Sequence, residues 1–239
     1  MSAPFELLAC YPELAEMLDN LCAGAPWCVT GASALLSDGA NWLFEITKPK
    51  HWRRRADGAT LVGIGAIGGS LEAHEAILEC LRREAREEID IEIAPLSSQS
   101  TYLIYEHREV HRLSLPERTF PRPALLTISE NLYRRHLRPE CEILAIVTFL
   151  ARLEGEPHLR DLFGLLTIPE GALAEVLGPD EIALSAVAAL PGVRWQTREP
   201  LPENTVLMPV WTAQSLQVLI RSANVGQLGS CPTFALDTI

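Results

Sequence analysis

The chain contains no apolar run long enough to cross a bilayer as a helix, because its longest run, Ile143–Ala151, is far too short. It also has little positive charge: 20 Lys and Arg residues stand against 31 Asp and Glu, which gives a formal net charge of −11. A molecule of that sign repels polyanions, so we expect no nucleic-acid polymer and no membrane as a partner. The first basic residue is Lys48, so no amino-terminal targeting segment is expected.

Closely spaced cysteine pairs are absent as well. Six cysteines are scattered along the 239 residues, and no two of them stand at Cys-x-x-Cys spacing. This pattern favours reduced, mostly buried thiols in a cytoplasmic protein. A small phosphorylated ligand remains compatible with the acidic chain, provided that metal ions or a local basic patch offset the repulsion.

The segments that are present alternate between helical and strand-like patterns. Apolar residues at helical spacing predict an N-terminal helix over Pro4–Leu21 and a closing helix over Ala213–Ala223. The Ala/Leu-rich stretch Pro169–Leu190 predicts one or two helices, interrupted at Gly178-Pro179. Strand-like runs are Trp27–Leu36, Asn41–Thr47, Thr60–Ile67, Tyr102–Tyr105, Val110–Leu115, Ala124–Ile128, Ile143–Leu153 and Leu207–Val210. This interleaving predicts an α/β protein.

A further helix is predicted after the break at Gly68-Gly69, centred on Glu75–Glu88. Its apolar stripe consists of Ala73, Ile77 and Leu81. One turn further along the wheel, that stripe reaches Glu84 and Glu88, with Glu87 on its flank, whereas surface helices normally keep their charges opposite the apolar stripe. Three carboxylates so close together repel one another, and a divalent cation that takes their oxygens as ligands relieves the repulsion. The alternative is an ordinary solvated helix with Glu–Arg pairs four residues apart.

The stretch Gly69–Ile91 resembles the Nudix box, G-x5-E-x7-R-E-U-x-E-E-x-G-U, in which U is an aliphatic residue. The matching residues are Gly69, Glu75, Arg83, Glu84, Ala85, Glu87, Glu88 and Ile91. There are three departures: Asp90 stands where the family has glycine, His74 replaces a frequent glycine, and Ala85 is small for its aliphatic position. Asp90 is expected to end the helix in a left-handed conformation, which Asp tolerates better than most residues.

The Nudix resemblance implies an α/β/α sandwich around a mixed central sheet, with extra helices at the N-terminus and in a C-terminal insertion. Residues 1–26 are then an N-terminal helical extension, and residues 27–225 form the Nudix hydrolase domain with an insertion at about 154–195. Residues 226–239 are a C-terminal tail. The insertion either caps a pocket or forms a homodimer interface, and the sequence leaves both uses open.

The resemblance also implies roles for the box residues. The implied ligands of Mg²⁺ or Mn²⁺ are Glu84, Glu87 and Glu88, supplemented by Glu72 and the main-chain carbonyl of Gly69. Arg83 is expected to hold Glu75 and the carboxylate cluster in place through charge-assisted hydrogen bonds. The catalytic set is therefore Glu84, Glu87, Glu88, Arg83 and Glu75. The general base stays open among the three helix glutamates and Glu130, Glu140 and Glu203.

The activity implied by the resemblance is that of a divalent-metal-dependent hydrolase. It would cleave a phosphoanhydride bond in a small nucleoside-diphosphate-linked or related molecule. One alternative is a catalytically silent Nudix-fold module that binds a nucleotide for regulation, and another is an interaction protein with an acidic surface helix. No marker for NADH, coenzyme A or ADP-ribose accompanies the box, so the substrate itself is left open.

A basic loop precedes the box and surrounds Trp52. Its charged residues are Lys48, Lys50, His51, Arg53, Arg54 and Arg55. The loop is either a patch that grips phosphate or stacks on a base, or a solvated, charged connection, which is the commoner case for such sequences.

Overall fold

The structure, a computed structural model, describes residues 5–132 and 140–224 and confirms the mixed α/β class. The predicted tail 226–239 lies outside the described residues. The helices are α1 (Phe5–Cys10), α2 (Pro12–Leu21), α3 (Ile77–Ile89), α4 (Leu173–Leu177), α5 (Leu184–Ala188) and α6 (Thr212–Asn224). The strands are β1 (Trp27–Ser37), β2 (Asn41–Ile46), β3 (Arg53–Arg54), β4 (Thr60–Gly65), β5 (Ile67–Ser70), β6 (Ile93–Leu96), β7 (Thr101–Tyr105), β8 (Glu109–Leu113), β9 (Leu125–Glu130), β10 (Ile143–Leu153), β11 (Gly164–Pro169), β12 (Ile182–Ala183), β13 (Arg194–Thr197) and β14 (Thr205–Pro209).

The chain forms two compact units. The first unit comprises Met1–Ala34, Gly68–Glu84 and Pro95–Leu150. The second unit comprises Leu35–Ile67, Ala85–Ala94 and Ala151–Ile239. Helix α3 therefore contributes residues to each of them.

In the first unit, β9 lies between β10 and β7. It pairs antiparallel with β10, from Ile143 opposite Glu130 to Thr148 opposite Leu125, and parallel with β7, beginning with Tyr102 opposite Leu125. Strand β8 pairs antiparallel with β7 along its whole length. Parallel and antiparallel pairs occur side by side, so this sheet is mixed, as predicted.

The N-terminal segment of the first unit is interrupted where a single helix was predicted. Helix α1 ends at Cys10, and α2 begins at Pro12. Proline has no N–H to donate and disfavours a helical conformation in the preceding residue, so Tyr11 has an extended φ of −130° and ψ of 74°. The fully buried Tyr11 hydroxyl donates a hydrogen bond to the Phe120 carbonyl at 2.5 Å. The prediction of one continuous helix over Pro4–Leu21 was wrong because it overlooked Pro12.

Two cysteines of the first unit are joined as a disulfide. Cys28, at the start of β1, is bonded to Cys141, whose Cα atom lies 5.8 Å from that of Cys28. The prediction of reduced thiols was therefore wrong for this pair, while Cys10, Cys22 and Cys80 are free cysteines. A separation of 113 residues cannot be paired from sequence spacing alone.

In the second unit, β4 pairs with strands on both sides. It is parallel to β14, with Thr60 opposite Thr205, and antiparallel to β2, with Ile46 opposite Ile64. The other edge of β2 pairs with β11, which sequence analysis did not predict and which falls within the expected insertion at 154–195. The predicted hairpin is confirmed, because Leu36 at the end of β1 lies opposite Leu43 of β2.

The helices of the second unit pack beside its sheet. Val176 and Leu177 of α4 and Leu219 of α6 are fully buried. The side chains of α6 also reach the end of α4, because Arg221 Nε donates to the Gly178 carbonyl at 2.7 Å. The predicted break at Gly178-Pro179 is confirmed, since α4 ends at Leu177. None of the helices in the described part of the chain combines the length and low polarity that a membrane crossing requires.

Candidate metal centre

The acidic helix starts later than the sequence suggested. Residues Gly69 and Ser70 belong to β5, a loop follows, and α3 begins only at Ile77. Glu75 therefore lies in the loop before the helix, where its Oε2 accepts the backbone N–H of Glu72 at 3.0 Å. His74, just before Glu75, has a φ of +68°, which a right-handed helix cannot contain, so the helix starts after this residue.

The buried face of α3 does not turn acidic as predicted. Ile77 and Leu81 are buried, but the stripe continues to Ala85 and Ile89, both with 0% exposure. Ala73, which precedes the helix, is exposed. The acidic residues flank this stripe rather than replace it: Glu84 and Glu88 are half-buried and Glu87 is exposed. Repulsion on a wholly buried face is therefore not the reason for the cluster.

Arg83 is the centre of the hydrogen-bond network between the loop and the helix. Its guanidinium grips Glu75 through two bonds, from Nε to Oε1 at 2.7 Å and from Nη2 to Oε2 at 3.0 Å. Nη1 donates to Glu84 Oε1 at 2.8 Å, and Nη2 also donates to the Ser70 carbonyl at 3.0 Å. The side chains of Arg83, Glu75 and Glu84 are only 21%, 11% and 14% exposed. One cation thus fixes two carboxylates that start from different elements.

Gly69 lies directly beneath the Glu84 carboxylate. A Cβ atom built on Gly69 would lie 2.2 Å from Glu84 Oε1 and 2.4 Å from its Cδ. Gly31 of β1 is tight in the same way, since a Cβ there would lie 2.6 Å from the Gly69 carbonyl oxygen. Only residues without a side chain allow this approach, so the backbone of β5 and the carboxylate are held against each other. The contribution of Gly31 carries no sequence motif and was missed.

The electrostatics keep this network ionised. The hydrogen bonds from Arg83 lower the pKa of Glu75, and the two carboxylates raise the pKa of Arg83 well above its ordinary value. Burial, with Glu75 nearby, raises the pKa of the Cys80 thiol to about 12, so this cysteine stays protonated beside the carboxylates. Its Sγ lies 3.7 Å from the carbonyl oxygens of Gly69 and Ser70.

The remaining predicted ligands are less closely gathered. Glu72 is 71% exposed, and its Oε1 lies 4.0 Å from Arg83 Nε. Glu87 and Glu88 follow Glu84 by one turn of the same helix, which places them on adjoining positions of its surface. The structure thus brings Gly69, Glu75, Arg83 and Glu84 into direct contact and leaves Glu72 at the edge of that group.

In the described part of the chain, the potential ligand atoms of Cys28, Glu140 and Cys141 lie within 4.8 Å of one another. This group contains none of the predicted metal ligands. Two of its three members are consumed by the disulfide, and a disulfide sulfur is not a thiolate ligand. Among the other acids considered as a general base, Glu130 ends β9, and Glu203 lies in the turn before β14.

No family model matches the chain, and no curated protein matches it. Solved structures do resemble it. They are mostly Nudix or MutT hydrolases. A NUDIX hydrolase from Nitrosomonas europaea matches with a TM-score of 0.37 and 12% identity, over 63% of this chain and 76% of that chain.

Two further solved structures are similar to the chain at comparable identity. A MutT protein from Bacillus halodurans gives a TM-score of 0.33 and 17% identity, over 62% of this chain and 72% of its own. A bifunctional NMN adenylyltransferase/ADP ribose pyrophosphatase from Francisella tularensis, complexed with AMP and a manganese ion, is also similar. Its TM-score is 0.30 and its sequence identity 16%, and the match covers 71% of this chain and 42% of that chain. These identities and TM-scores are low.

Two of the three positions at which the chain departs from the pattern it resembles have a left-handed backbone. His74 has a φ of +68° and Asp90 a φ of +59°. Glycine adopts such angles without steric cost, whereas His74 and Asp90 adopt them with a side chain present. The expected left-handed end of the helix at Asp90 is confirmed, and the Asp90 carboxylate accepts a hydrogen bond from Arg160 Nη1 at 3.0 Å.

Proposed function

We propose that this chain is a divalent-metal-dependent hydrolase that cleaves a phosphoanhydride bond in a small nucleoside-diphosphate-linked molecule. The observation that carries the proposal is the network in which Arg83 fixes Glu75 and Glu84 while Glu84 lies against the backbone of Gly69. A purely solvated helix has no need of a glycine beneath one of its carboxylates. The close contact indicates a site whose oxygen atoms are positioned in advance.

The donor set suits a small hard cation. Carboxylate and main-chain carbonyl oxygens are the ligands that Mg²⁺ and Mn²⁺ prefer. At Gly69, the Glu84 carboxylate occupies the space that the side chain of any other residue would take. Glu84, Glu87 and Glu88 would hold the ion, with Glu72 and the Gly69 carbonyl as further contacts. The rigid link through Arg83 supports Glu84 in this role, because a ligand with fixed orientation loses less entropy on binding.

The chemistry that a bound divalent ion supplies is a lowered pKa for water and neutralisation of charge on phosphate oxygens. The residues of the chain do the rest. Arg83 keeps Glu84 oriented and charged, and Glu75 keeps the guanidinium of Arg83 in place. Glu87 and Glu88 add negative charge one turn along, where the protein alone would repel a diphosphate. This repulsion predicts that the phosphate chain binds poorly without the metal ion.

A substrate panel tests the proposal. Purified protein is incubated with nucleoside-diphosphate-linked compounds in Mg²⁺, in Mn²⁺ and in EDTA, and the release of a nucleoside monophosphate is measured. We expect turnover with metal ions and none in EDTA. The Glu87→Gln and Glu88→Gln variants should lose turnover and keep the melting temperature of the wild type. A nucleotide that raises the melting temperature while no compound is hydrolysed would instead indicate a silent binding module.

A further inference from the structure

The disulfide of the first unit has a carboxylate beside it. Glu140 immediately precedes Cys141 in the chain, and one potential ligand atom from each of Cys28, Glu140 and Cys141 lies within 4.8 Å of the other two. Consecutive residues of an extended strand point to opposite faces, but Glu140 lies in a turn before β10, which allows its carboxylate to face the same side as Cys141 Sγ. All three residues belong to the first unit. Three donor groups from two separate segments of the chain therefore meet at one place.

Main-chain hydrogen bonds hold the two cysteine-bearing segments together independently of the S–S bond. The Pro26 carbonyl accepts the backbone N–H of Glu142 at 2.7 Å and that of Ile143 at 3.1 Å. From the other side, the buried Asn131 donates its Nδ2 to the Cys141 carbonyl at 3.0 Å and its backbone N–H to the Glu142 carbonyl at 2.8 Å. None of these hydrogen bonds involves a sulfur atom. The two Sγ atoms therefore stay neighbours when the bond between them is broken.

Thiol–disulfide exchange can open this bond at Cys28. Cys28 is half-buried, whereas Cys141 is 1% exposed, so the thiolate of a small dithiol attacks Cys28 Sγ. The S–S bond breaks, and Cys141 leaves as a thiolate that takes up a proton. The second thiol of the dithiol then displaces Cys28 and closes the dithiol into its own disulfide. Two electrons and two protons have passed to the pair, which is now two thiols.

The reduced pair and the carboxylate beside it form a donor set for a soft divalent cation. Thiolates favour Zn²⁺ over Mg²⁺, and three protein ligands with water in the fourth position are typical of open zinc sites. Two atoms bound to one Zn²⁺ at about 2.0–2.3 Å are at most about 4.6 Å apart, so small movements allow one ion to bind all three groups. We propose that reduction of the Cys28–Cys141 disulfide opens a Zn²⁺ site whose ligands are the two thiolates and the Glu140 carboxylate. Binding of the ion displaces the two thiol protons.

A disulfide that only stabilises the fold is the alternative explanation. It accounts for the two cysteines, but a disulfide is uncharged and gives no role to a carboxylate at its side. Two thiolates and a carboxylate place three negative charges in a small volume, and a divalent cation offsets their repulsion. The Zn²⁺ site uses none of the carboxylates of α3, so it is independent of the proposed function.

Binding of cobalt(II) tests the site, because thiolate ligands give a sulfur-to-cobalt charge-transfer absorption that carboxylate ligands lack. Metal-free, full-length protein is titrated with Co²⁺ in the oxidised form and after reduction by a phosphine, which takes up the oxygen of a water molecule as the S–S bond breaks. Excess Mg²⁺ occupies the carboxylates of α3. We expect the absorption in the reduced protein alone, and its loss when Zn²⁺ is added.

Variants assign the ligands in the reduced protein. Cys28→Ser should lose the charge-transfer absorption, whereas Cys10→Ser, at a free cysteine, should keep it. Glu140→Gln should weaken Zn²⁺ binding about tenfold or more, because one ligand is lost. The matched control is Glu142→Gln, an exposed acid two positions further along, which should stay within about twofold of the wild type.

Alkylation provides a second readout that needs no variant, and it decides the matter if Cys28→Ser fails to fold. Reduced wild type is treated with iodoacetamide with and without Zn²⁺, and the modified cysteines are identified by mass spectrometry. Bound Zn²⁺ should slow alkylation of Cys28 about tenfold or more and leave Cys10 within about twofold, since a metal-bound thiolate is a poorer nucleophile.

Three results would overturn the Zn²⁺ site. The first is a reduced wild type that shows no sulfur-to-cobalt absorption, and the second is alkylation of Cys28 at the same rate with and without Zn²⁺. Either result would leave a purely structural disulfide. The third is equal weakening of Zn²⁺ binding by Glu140→Gln and Glu142→Gln, because the effect would then be one of total charge.

Discussion

At the scale of single residues, Gly69 is the position on which the candidate site depends most directly. Its lack of a side chain lets the Glu84 carboxylate lie where a Cβ atom would stand, 2.2 Å from Oε1. We predict that Gly69→Ala displaces the Glu84 carboxylate from its place against β5 and lowers kcat/KM at least tenfold, since the added methyl group and the carboxylate cannot occupy the same space.

The control for this substitution is Gly171→Ala. A Cβ atom added at Gly171 meets nothing within 4 Å, so activity and melting temperature should stay at the values of the wild type. Mn²⁺ affinity, measured by calorimetry, should fall for Gly69→Ala alone. Equal Mn²⁺ affinity for Gly69→Ala and the wild type would mean that the carboxylate does not need its position over Gly69.

The lowered pKa of Glu75 predicts that the free energy of unfolding depends on pH. Its pKa is lowered by Arg83 in the folded protein, so the stability it contributes is present above its ordinary pKa of 4.5 and is lost as the pH falls through the folded value. Glu75→Gln should lower the free energy of unfolding by about 1.5–3 kcal/mol at pH 7, because hydrogen bonds to a charged group are lost. Urea denaturation at pH 7 and pH 4 checks this. The gap between variant and wild type should narrow at pH 4, and a gap independent of pH would contradict the assignment.

Much of the site at this scale could be predicted from the sequence. The resemblance to the Nudix box implied that Arg83 would hold Glu75 and the carboxylate cluster, and the structure places Glu75, Arg83 and Glu84 in direct contact. The Ser70 carbonyl and the glycine at position 31 could not be predicted, because main-chain acceptors and close strand approaches leave no residue pattern. The functional roles of all these residues remain predictions.

At the scale of elements, the end of α3 combines an unfavourable backbone angle with a side-chain partner. Asp90 has a φ of +59° and accepts a hydrogen bond from Arg160. We predict that Asp90→Gly leaves the free energy of unfolding within about 1 kcal/mol of the wild type, because relief of the left-handed strain offsets the loss of an exposed ion pair. Asp90→Val should lower it by about 1–3 kcal/mol, since a β-branched residue tolerates positive φ poorly.

Chemical denaturation of both variants distinguishes these effects. Equal destabilisation by glycine and valine would show that the ion pair with Arg160, rather than the backbone angle, determines stability at this end. A melting temperature above that of the wild type for Asp90→Gly is compatible with the prediction, because glycine adopts this angle freely.

Other element boundaries illustrate where sequence patterns were sufficient and where they were not. Strand β10 was predicted at its observed bounds, Ile143–Leu153, because a long β-branched and apolar run is a strong signal. Strand β11 was missed, since its six residues become a strand by pairing with β2, more than a hundred positions earlier, and with β13. Propensity does not encode such a distant partner.

At the scale of the whole molecule, the Cys28–Cys141 disulfide closes a sequence separation of 113 residues. Because it restricts the unfolded chain, Cys28→Ser should lower the free energy of unfolding by about 2–4 kcal/mol in buffer without reductant. In dithiothreitol, the wild type should fall to the stability of the variant. The control Cys10→Ser, at a free and half-buried cysteine, should keep the response to reductant. Identical unfolding curves for the wild type with and without reductant would contradict the bond.

The central claim is that Glu84, Glu87 and Glu88 hold a divalent cation on which hydrolysis depends. The most direct measurement follows bound Mn²⁺ by electron paramagnetic resonance and product release in the same samples as Mn²⁺ is added to metal-free protein. The account predicts that turnover rises in proportion to occupancy, and that Glu88→Gln loses both while Glu79→Gln, on the same helix, retains both. Turnover in metal-free protein, or unchanged Mn²⁺ occupancy in Glu88→Gln, would contradict it.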